Sequence, residues 1–503
     1  MVRRYRDLSA SLNPILQVLL DGRASISEPV WWETDGWLSY RDLRGRRTRT
    51  RIQWSALAGH SVRHGPRGYW ADWAAHRSGQ RALVEHTSIN PVHPMHLGAL
   101  RSTLIGGTLA RLLRSSGADV TVHYFVNDLG RQVVLLDWIL ARTNLSVVPS
   151  HLRFDVVAGV LYSLVNMILG ERGKDIDRLT EAHSWIASAV PQQVRDRSDL
   201  QRRLSMAKGP SAGFVSDMVQ LVVDDMAAVG AGVDVFERES DLPDPLDTLL
   251  FEILAAEDAV SVNGTWCLRR DGGLVPVGRS NGSSLYFLRD LANCQRRDAR
   301  ITHMYHVIGD DQALLQRTLR DLLARRGVVS EHVSFGAITS AGKRFSSRQN
   351  RLITVAEILG EEGDRLQEIS FEMALRRPDR AIDVAKLAGW PYQRVRRAHQ
   401  VARDGVGVRR TAAAMSDPRA RVLAISLARG IGATHTALHK RSPHPLARYL
   451  LELSEAYSRA AAADVVMPWA RDWYLDTYDR FSVLIGISGN GSESSASRIT
   501  RAA

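Results

Sequence analysis

The feature that most constrains the fold is a strand–loop–helix–strand unit between residues 82 and 126. A short apolar strand at 82–86 leads into a loop rich in asparagine, proline and histidine. Leucines at helical spacing follow over 98–116, and Gly117 ends the helix. Alternating apolar residues over 120–126 predict a second strand. The unit therefore predicts one half of a doubly wound parallel sheet, the Rossmann-like α/β class.

Further along the chain, the hydrophobic pattern predicts the rest of this sheet and then helices alone. Strands are expected at 304–308 and 333–338, with a leucine-bearing helix between them. The segment 151–265 has mainly helical periodicity, which predicts an insertion between the two halves of the sheet. Beyond residue 361 no strand is predicted, and Leu446 to Arg459 has one apolar face, as a packed helix requires.

Composition narrows the class of protein. A chain of 503 residues, 45% hydrophobic and 24% charged, can bury several cores and is expected to form two to four domains. Its two cysteines, Cys267 and Cys294, cannot build a disulfide framework, which indicates a reducing cytoplasm. We expect Cys294 to be a small core residue without a histidine partner. No membrane-spanning run or convincing signal peptide is present, so we expect a cytoplasmic protein that does not enter a membrane.

The charge balance indicates an anionic partner. The formal net charge is +12, and only five of the 66 basic residues are lysines. A genome rich in G and C would explain the choice of arginine, but not the excess of positive charge, which favours a polyanion. The first 80 residues hold six of the twelve tryptophans and the basic run RDLRGRRTRTR at 41–51. That run is either a nucleic-acid contact or a solvated loop beside packed tryptophans.

The loop after the first strand carries the polar groups of a candidate site. They are Glu85, Thr87, Asn90, His93, His96 and Gly98. The first three follow the carboxyl end of a strand, where ligands bind in open α/β sheets. The last three stand at a helix N-terminus, where a protonatable imidazole and a close-approach glycine indicate a phosphate site. The two histidines could instead bind a metal, but no cysteine or further carboxylate stands near them, so no metal site is expected.

Five ordered segments spanning about 84–487 resemble arginyl-tRNA synthetases, class I enzymes whose nucleotide fold carries a His-Ile-Gly-His type motif. HLGA at 96–99 occupies that motif. The segments are SINPVHPMHLGALRSTLIGGTLARLLRSSGADV with YFVNDLGRQ, then RSNGSSLYFLRDLA, VIGDDQALLQ, FSSRQNRLITVAEIL and PHPLARYLLELSEAYSR. The set is specific because its members keep their order. The resemblance implies a Rossmann-like catalytic domain with a helical insertion, a C-terminal all-α anticodon-binding domain, and a monomeric protein.

With the resemblance, the chain divides into six parts. These are a shortened N-terminal module (1–80), the first half of the catalytic domain (81–150), a connecting insertion (151–265), the second half with the catalytic loop (266–360), the helical anticodon-binding domain (361–487) and a flexible tail (488–503). Related proteins are commonly longer at the N-terminus, where a folded module contacts the tRNA elbow in many of them. The short module here is where an altered tRNA contact is expected.

The resemblance also implies a pocket for free arginine. A guanidinium group is always charged and offers five planar donors, so it requires a carboxylate and further acceptors. The positions that match the family's pocket are Tyr286, Asp290, Asn90 and Gln312, with Glu85 and Thr87 near the α-amino group. Thr87 keeps the hydroxyl of the usual serine. Taken alone, Tyr286 and Asp290 would be a helix-start aromatic and half of an Arg289–Asp290 charge pair.

On the ATP side the chain departs from the family pattern. The implied ATP-binding residues are His93, His96, Gly98, Gly309 and Ser347, and the implied catalytic residues are His96, Gly98, Lys343, Arg344, Ser346, Ser347 and Arg348. Ala99 replaces the second motif histidine, and Arg344, Phe345 and Ser346 match the first three residues of the Lys-Met-Ser-Lys-Ser loop. Because one lost donor typically costs ~10²–10³ in rate, we expect these departures to affect catalytic rate more than binding.

The predicted function is ATP-dependent formation of arginyl-adenylate, with Mg²⁺ bound to the ATP, and transfer of arginine to the 3′ end of tRNA. In the family, activation generally needs tRNA. Two alternatives remain open: a paralogue that passes activated arginine to a small-molecule amine, and a catalytically silent tRNA-binding protein. Ala99, the altered loop and the short N-terminal module motivate the first alternative.

Overall fold

The computed structural model describes residues 4–7, 13–19, 26–33, 35–42, 46–195, 198, 200–202, 213–242, 246–280, 284–340, 343–344, 353–360, 364–409 and 416–488. The strands are β1 Arg4–Asp7, β2 Ile26–Glu33, β3 Trp37–Asp42, β4 Arg47–Arg51, β5 Arg81–Glu85, β6 Asp119–Val126, β7 Val235–Arg238, β8 Ala259–Val262, β9 Thr265–Arg270, β10 Gly273–Arg279, β11 His303–Gly309, β12 Val329–Phe335, β13 Ile338–Ser340, β14 Lys343–Arg344 and β15 Ile382–Asp383.

The helices are α1 Pro14–Leu19, α2 Trp54–Ala75, α3 Leu97–Ser115, α4 Arg131–Leu140, α5 Phe154–Leu169, α6 Gly173–Ala182, α7 Trp185–Ala189, α8 Phe214–Ala227, α9 Asp247–Ala256, α10 Tyr286–Arg296, α11 Ala313–Ala324, α12 Val355–Leu359, α13 Arg365–Ala374, α14 Trp390–Arg403, α15 Pro418–Ala428, α16 Gly430–His439, α17 His444–Ala461 and α18 Pro468–Ile485. In the described ranges, none of them combines the length and apolar character needed to cross a bilayer.

The predicted doubly wound sheet is confirmed. Its strands lie in the order β12-β11-β5-β6-β7, and every neighbouring pair is parallel. The first of these strands in the chain, β5, lies in the middle, with β6 on one side and β11 on the other. This arrangement creates the switch point at which open α/β sheets bind ligands beyond the carboxyl ends of their strands.

Two strands of this sheet differ from the sequence-based expectation. The outer strand β12 covers Val329–Phe335, so it begins four residues and ends three residues earlier than predicted, because polar Glu331 and His332 interrupt the apolar pattern on a half-buried sheet edge. The opposite outer strand, β7, falls inside the range assigned to the helical insertion, and it pairs with β6. Its four residues, VFER, are largely exposed, so they lack the apolar alternation that identifies a strand. The domain boundaries themselves stay a prediction.

Helix α3 positions the site because it is buried along almost its whole length. Leu100 and Leu104 belong to the apolar core formed with α4, α5 and α8. Leu109 and Leu112 belong to the core shared with the C-terminal helices. Helix α3 therefore lies between two cores, and its packing against both holds its N-terminus at the carboxyl edge of the sheet.

Arg101 ties this helix to the start of the C-terminal domain. Its side chain is 2% exposed. The guanidinium donates hydrogen bonds to the carbonyls of Gly336, Arg377, Pro378 and Arg380 at 2.6–3.1 Å. Burial lowers the pKa of Arg101 to about 10, so the group remains charged at neutral pH. Charged donors satisfy buried carbonyls more strongly than neutral ones, so this contact fixes the two domains together.

The C-terminal region is helical, as predicted, except for the two-residue strand β15, which pairs with β13 of the catalytic region. The predicted helix at 446–459 is confirmed as part of α17, whose apolar face is buried. Helix α2 of the N-terminal module docks on this domain, where the Tyr69 hydroxyl donates to the carbonyl of Ala428 at 2.9 Å. Trp32 and Trp73 are buried, which identifies them as core residues.

Candidate active site

A cavity of about 680 Å³, called the central cavity below, opens beyond the carboxyl ends of β5 and β11. Its walls come from the loop before α3, from α3 itself, and from the start of α10 and α11. Ten residues singled out in the sequence line it: Glu85, Thr87, Asn90, His93, His96, Gly98, Tyr286, Asp290, Gly309 and Gln312. The fold therefore brings together the residues predicted for arginine and for ATP. Their binding roles stay predictions.

The predicted catalytic loop is described only at its ends. The backbone of Lys343 and Arg344 forms β14, which pairs antiparallel with β13. Ser346, Ser347 and Arg348 lie outside the described residues. After the loop, the amide of Leu97 donates to the carbonyl of Ile353 at 3.0 Å, and the amide of Val355 donates to the carbonyl of Met95 at 2.8 Å. The far end of the loop is thus anchored to the segment that begins α3.

His96 is the N-cap of α3. Its Nδ1 accepts a hydrogen bond from the amide of Ala99 at 3.2 Å. An accepting Nδ1 leaves the proton on Nε2, which can donate to a ligand. Gly98 is required beneath this ring because a Cβ at that position would lie 2.8 Å from Cε1 of His96. The N-terminus of α3 thus presents the His96 imidazole donor and the Gly98 amide, which no side chain covers, to the cavity.

The protonation state of His96 corrects the sequence-based expectation of a protonatable imidazole. Burial, reinforced by the neighbouring His93, lowers the pKa of His96 to about 3. Burial also lowers the pKa of His93. Both rings are neutral at physiological pH, so any attraction for phosphate comes from N–H donors and the helix dipole rather than from a charged imidazole.

Asp290 and Tyr286 occupy the same face of α10, one helical turn apart. Tyr286 is 56% exposed at the cavity mouth. Arg289 forms its ion pair with Glu239, so the alternative Arg289–Asp290 pair does not form. Burial, together with the charge of Glu85, raises the pKa of Asp290 to about 7. A buried carboxyl at its ionisation point is prepared to accept a cation.

Glu85 lies in a row of polar side chains across the sheet. His306 on β11 and His123 on β6 are its register partners on the two sides. Arg297 donates to Glu85 Oε2 at 2.9 Å, and His306 Nδ1 lies 3.7 Å from the same oxygen. Burial alone would raise the pKa of Glu85, but hydrogen bonding to His306 and the charge of Arg297 hold it well below its usual range. Glu85 is therefore a fixed anion in the cavity wall.

Thr87 adopts an uncommon backbone conformation, with φ of 60°. A β-branched residue in this region is an outlier that its surroundings must stabilise. Its hydroxyl lies 2.6 Å from His86 Nδ1 and 2.6 Å from Thr103 Oγ1. The hydroxyl expected near an α-amino group is thus already engaged with two protein partners, which assigns it first to holding this turn.

Gln132, His306 and Arg297 contact predicted site residues but were not themselves predicted from the sequence. The amide nitrogen of Asn90 donates to Gln132 Oε1 at 2.9 Å, which leaves the Asn90 oxygen as an acceptor. A histidine within the buried strand HMYHVIG was the available signal for His306. Cys294, expected to be a small core residue, is buried and lines the same cavity as His306.

This chain is similar in sequence to known proteins. Residues 71–151 match the model for the catalytic domain of class I (R) tRNA synthetases. Arginine–tRNA ligase of Saccharolobus solfataricus is 26% identical over 341 residues, covering 56% of this chain and 55% of the relative. That of Methanosarcina mazei is 29% identical over 324 residues, covering 61% and 52%. The chain thus spans about half the length of the curated relatives it matches.

A solved structure gives the same fold over a larger part of the chain. The arginyl-tRNA synthetase of Thermus thermophilus superposes with a TM-score of 0.62 at 19% sequence identity, covering 92% of this chain and 86% of that one. Among the described residues, no group of three or more His, Cys, Asp or Glu side chains is arranged to hold a metal ion. The sequence of this chain is therefore similar to arginine–tRNA ligases over about half of their length, residues 71–151 are similar to a class I (R) catalytic domain, and the fold is similar to that of an arginyl-tRNA synthetase.

Proposed function

We propose that this protein activates arginine with ATP and transfers it to the 3′ end of a tRNA. The observation that carries the proposal is the central cavity, which places two acidic side chains, Glu85 and Asp290, together with the capped N-terminus of α3. An arginine molecule carries two cations, and ATP carries a polyphosphate. The acids suit the first ligand and the helix terminus suits the second.

In this proposal Asp290 pairs with the guanidinium of arginine. Asn90, whose oxygen is left available by Gln132, and Gln312 add acceptors, and Tyr286 covers the side chain at the cavity mouth. Glu85, held ionised by Arg297 and His306, attracts the α-ammonium group. Arginine spans the two carboxylates, so its α-carboxylate is directed away from them.

The α-carboxylate of arginine then attacks the α-phosphate of ATP, giving arginyl-adenylate and pyrophosphate. His96 Nε2 and the Gly98 amide donate to the phosphates, and His93 and Gly309 flank the nucleotide. Ser347 of the catalytic loop binds ATP, and Lys343, Arg344, Ser346 and Arg348 neutralise the departing pyrophosphate. Mg²⁺ enters bound to ATP. Catalysis of this kind consists of positioning and charge neutralisation, and it requires no protein nucleophile.

Transfer requires a tRNA, and the net charge of +12 favours such a polyanion. We place the anticodon contact on the C-terminal helices. The exposed arginines of β4, of which Arg49 and Arg51 lie over the Trp37 ring, offer a second basic surface.

A cytoplasmic location fits the two free cysteines. The monomeric state stays a prediction.

The direct test is a charging assay with purified protein, ATP, radiolabelled arginine and total tRNA. We expect tRNA-dependent release of pyrophosphate and formation of arginyl-tRNA, whereas citrulline, which is neutral at the guanidinium position, is rejected. Arginine activation without charging of any tRNA would replace tRNA by another acceptor. Salt-sensitive tRNA binding without exchange of pyrophosphate into ATP would identify a silent protein.

Arginine binding is expected to strengthen as the pH rises from 6 to 8. The pKa of Asp290 is raised to about 7, so the carboxyl is protonated below that pH and ionised above it. Its charged neighbours are Glu85, His306, Arg297 and Arg289. Glu85 and His306, with pKa values shifted below and above this range, keep their charges throughout. The dissociation constant should fall about tenfold over the two pH units, as measured by calorimetry with arginine alone. A flat profile would contradict this assignment.

A further inference from the structure

One face of helix α11 lines the central cavity. The residues of this helix that form the wall are Leu315, Gln316 and Leu319, and Gln312 lines the cavity from the position just before the helix. Their spacing of three, four and seven residues from Gln312 is that of a single helical face. Two of these four side chains are therefore glutamines one helical turn apart, and the proposed function has used only the first of them.

Gln316 is the more deeply buried of the two glutamines. It is 8% exposed, whereas Gln312 is half-buried. Its Oε1 is buried and accepts no hydrogen bond from the part of the chain that the structure describes. Native proteins keep few buried acceptors without a donor, because such a group is costly. The terminal torsion of a glutamine is broad, so the amide of this wall residue can turn its oxygen to a ligand.

Gln316 belongs to the side of the cavity that is assigned to the guanidinium. Helices α10 and α11 pack against each other, and Leu291 of α10 and Leu319 of α11 belong to one apolar core. Asp290 immediately precedes Leu291, one helical turn after Tyr286 at the cavity mouth. Helix α3, whose N-terminus faces the phosphates in the proposed function, packs in the other two cores. Gln316 therefore faces the Asp290 side of the cavity rather than the phosphate side.

The hydrogen-bonding capacity of the ligand leaves a place for this oxygen. A guanidinium group offers five donors. The Asp290 carboxylate can accept two of them side by side, and Asn90 and Gln312 can each accept one. One donor then lacks an acceptor, and a buried donor without a partner weakens binding.

We propose that Gln316 is a further arginine-binding residue, whose Oε1 accepts the remaining donor of the guanidinium group. This inference rests on the proposed function, because it takes arginine as the ligand. It accounts for a buried amide on a helix face whose neighbouring wall residues, Leu315 and Leu319, are apolar. The ligand and the amide oxygen each supply the partner that the other lacks.

The test is calorimetric titration of the full-length protein with arginine at pH 8, above the pKa of Asp290. Gln316→Met keeps the length of the side chain and removes the amide, so the dissociation constant should rise roughly 10- to 10²-fold, as for loss of a hydrogen bond to a charged group. Gln316→Glu keeps an acceptor and should bind arginine at least about tenfold more tightly than Gln316→Met. Gln220→Met is the control: Gln220 is exposed on α8, where it donates to Asp224 at 2.8 Å, and its loss should change the constant less than about twofold.

Thermal denaturation without arginine separates binding from folding. Gln316→Met should unfold at the same temperature as the unmodified protein or at a higher one, because an apolar group of the same length replaces a buried amide that lacks a donor. Unchanged arginine affinity in Gln316→Met, equal affinities in Gln316→Met and Gln316→Glu, or a loss of affinity accompanied by a lower unfolding temperature overturns the inference. An unmodified protein that binds no arginine would overturn the proposed function, and this inference with it.

Discussion

Replacing Asp290 with asparagine is expected to raise the KM for arginine roughly 10²- to 10³-fold. Asparagine keeps the shape and volume of the side chain but supplies neither the charge nor two acceptor oxygens. Removing one partner of a buried ion pair costs about 3–5 kcal/mol, because the remaining charge stays buried without compensation. The measurement is arginine-dependent exchange of pyrophosphate into ATP in the presence of tRNA. The pH dependence of arginine binding should disappear in the same variant.

Asp298→Asn is the matched control for this change. Asp298 stands just beyond the same helix, is 41% exposed and pairs with Arg300. Exposed pairs contribute little, so its effect on KM should remain within about twofold. If Asp290→Asn binds arginine as well as the unmodified protein, the guanidinium is recognised elsewhere, and the assignment of Asp290 is wrong.

Replacing His96 with asparagine is expected to lower the kcat of adenylate formation by roughly 10²–10³, the usual effect of removing one preorganised donor from a developing anion. Asparagine is a favourable N-cap residue, so its side-chain oxygen can still accept from the Ala99 amide. The variant therefore loses the Nε2 donor while it retains the helix cap. Single-turnover formation of adenylate reports the rate, and thermal denaturation reports the stability.

His96→Ala separates the two roles of this side chain. Alanine removes the donor and the cap together, so it should show the same loss of rate and a further destabilisation of about 1 kcal/mol. His151→Asn, at an exposed position outside the cavity, is the control and should change neither quantity. Normal activity in His96→Asn combined with reduced activity in His96→Ala would mean that His96 acts only as a helix cap.

Much of the catalytic fold could be predicted from local patterns. Strand β5 and helix α3 follow from apolar periodicity, and the observed bounds differ from the predicted ones by a single residue at each end. Asp290, Tyr286 and Gln312 were found because they occupy motif positions, although they are far from β5 in the chain. The outer strand β7 was not predicted because only one of its edges pairs with another strand, and its residues are mostly polar or exposed.

Side-chain roles that depend on distant neighbours could not be predicted. His306 looked like an ordinary strand residue until its pairing with Glu85 across β5 and β11 became visible. His96 was expected to be protonatable because its burial cannot be inferred from a histidine-rich loop. The place of Cys294 in the cavity wall could not be predicted, because the other walls come from strands and helices that are distant in the chain.

The sequence by itself determined the parallel α/β class, the helix terminus at His96 and Gly98, and the identity of the acidic and amide side chains at the ends of the strands. Periodicity and capping are local properties, so they can be read along the chain. The tertiary structure decided the charges of these side chains: the pKa of Asp290 lies near neutral pH, Glu85 is ionised, His96 is neutral and His306 is cationic. A pKa depends on burial and on nearby charges, and here those charges come from strands and helices that only the folded chain brings together.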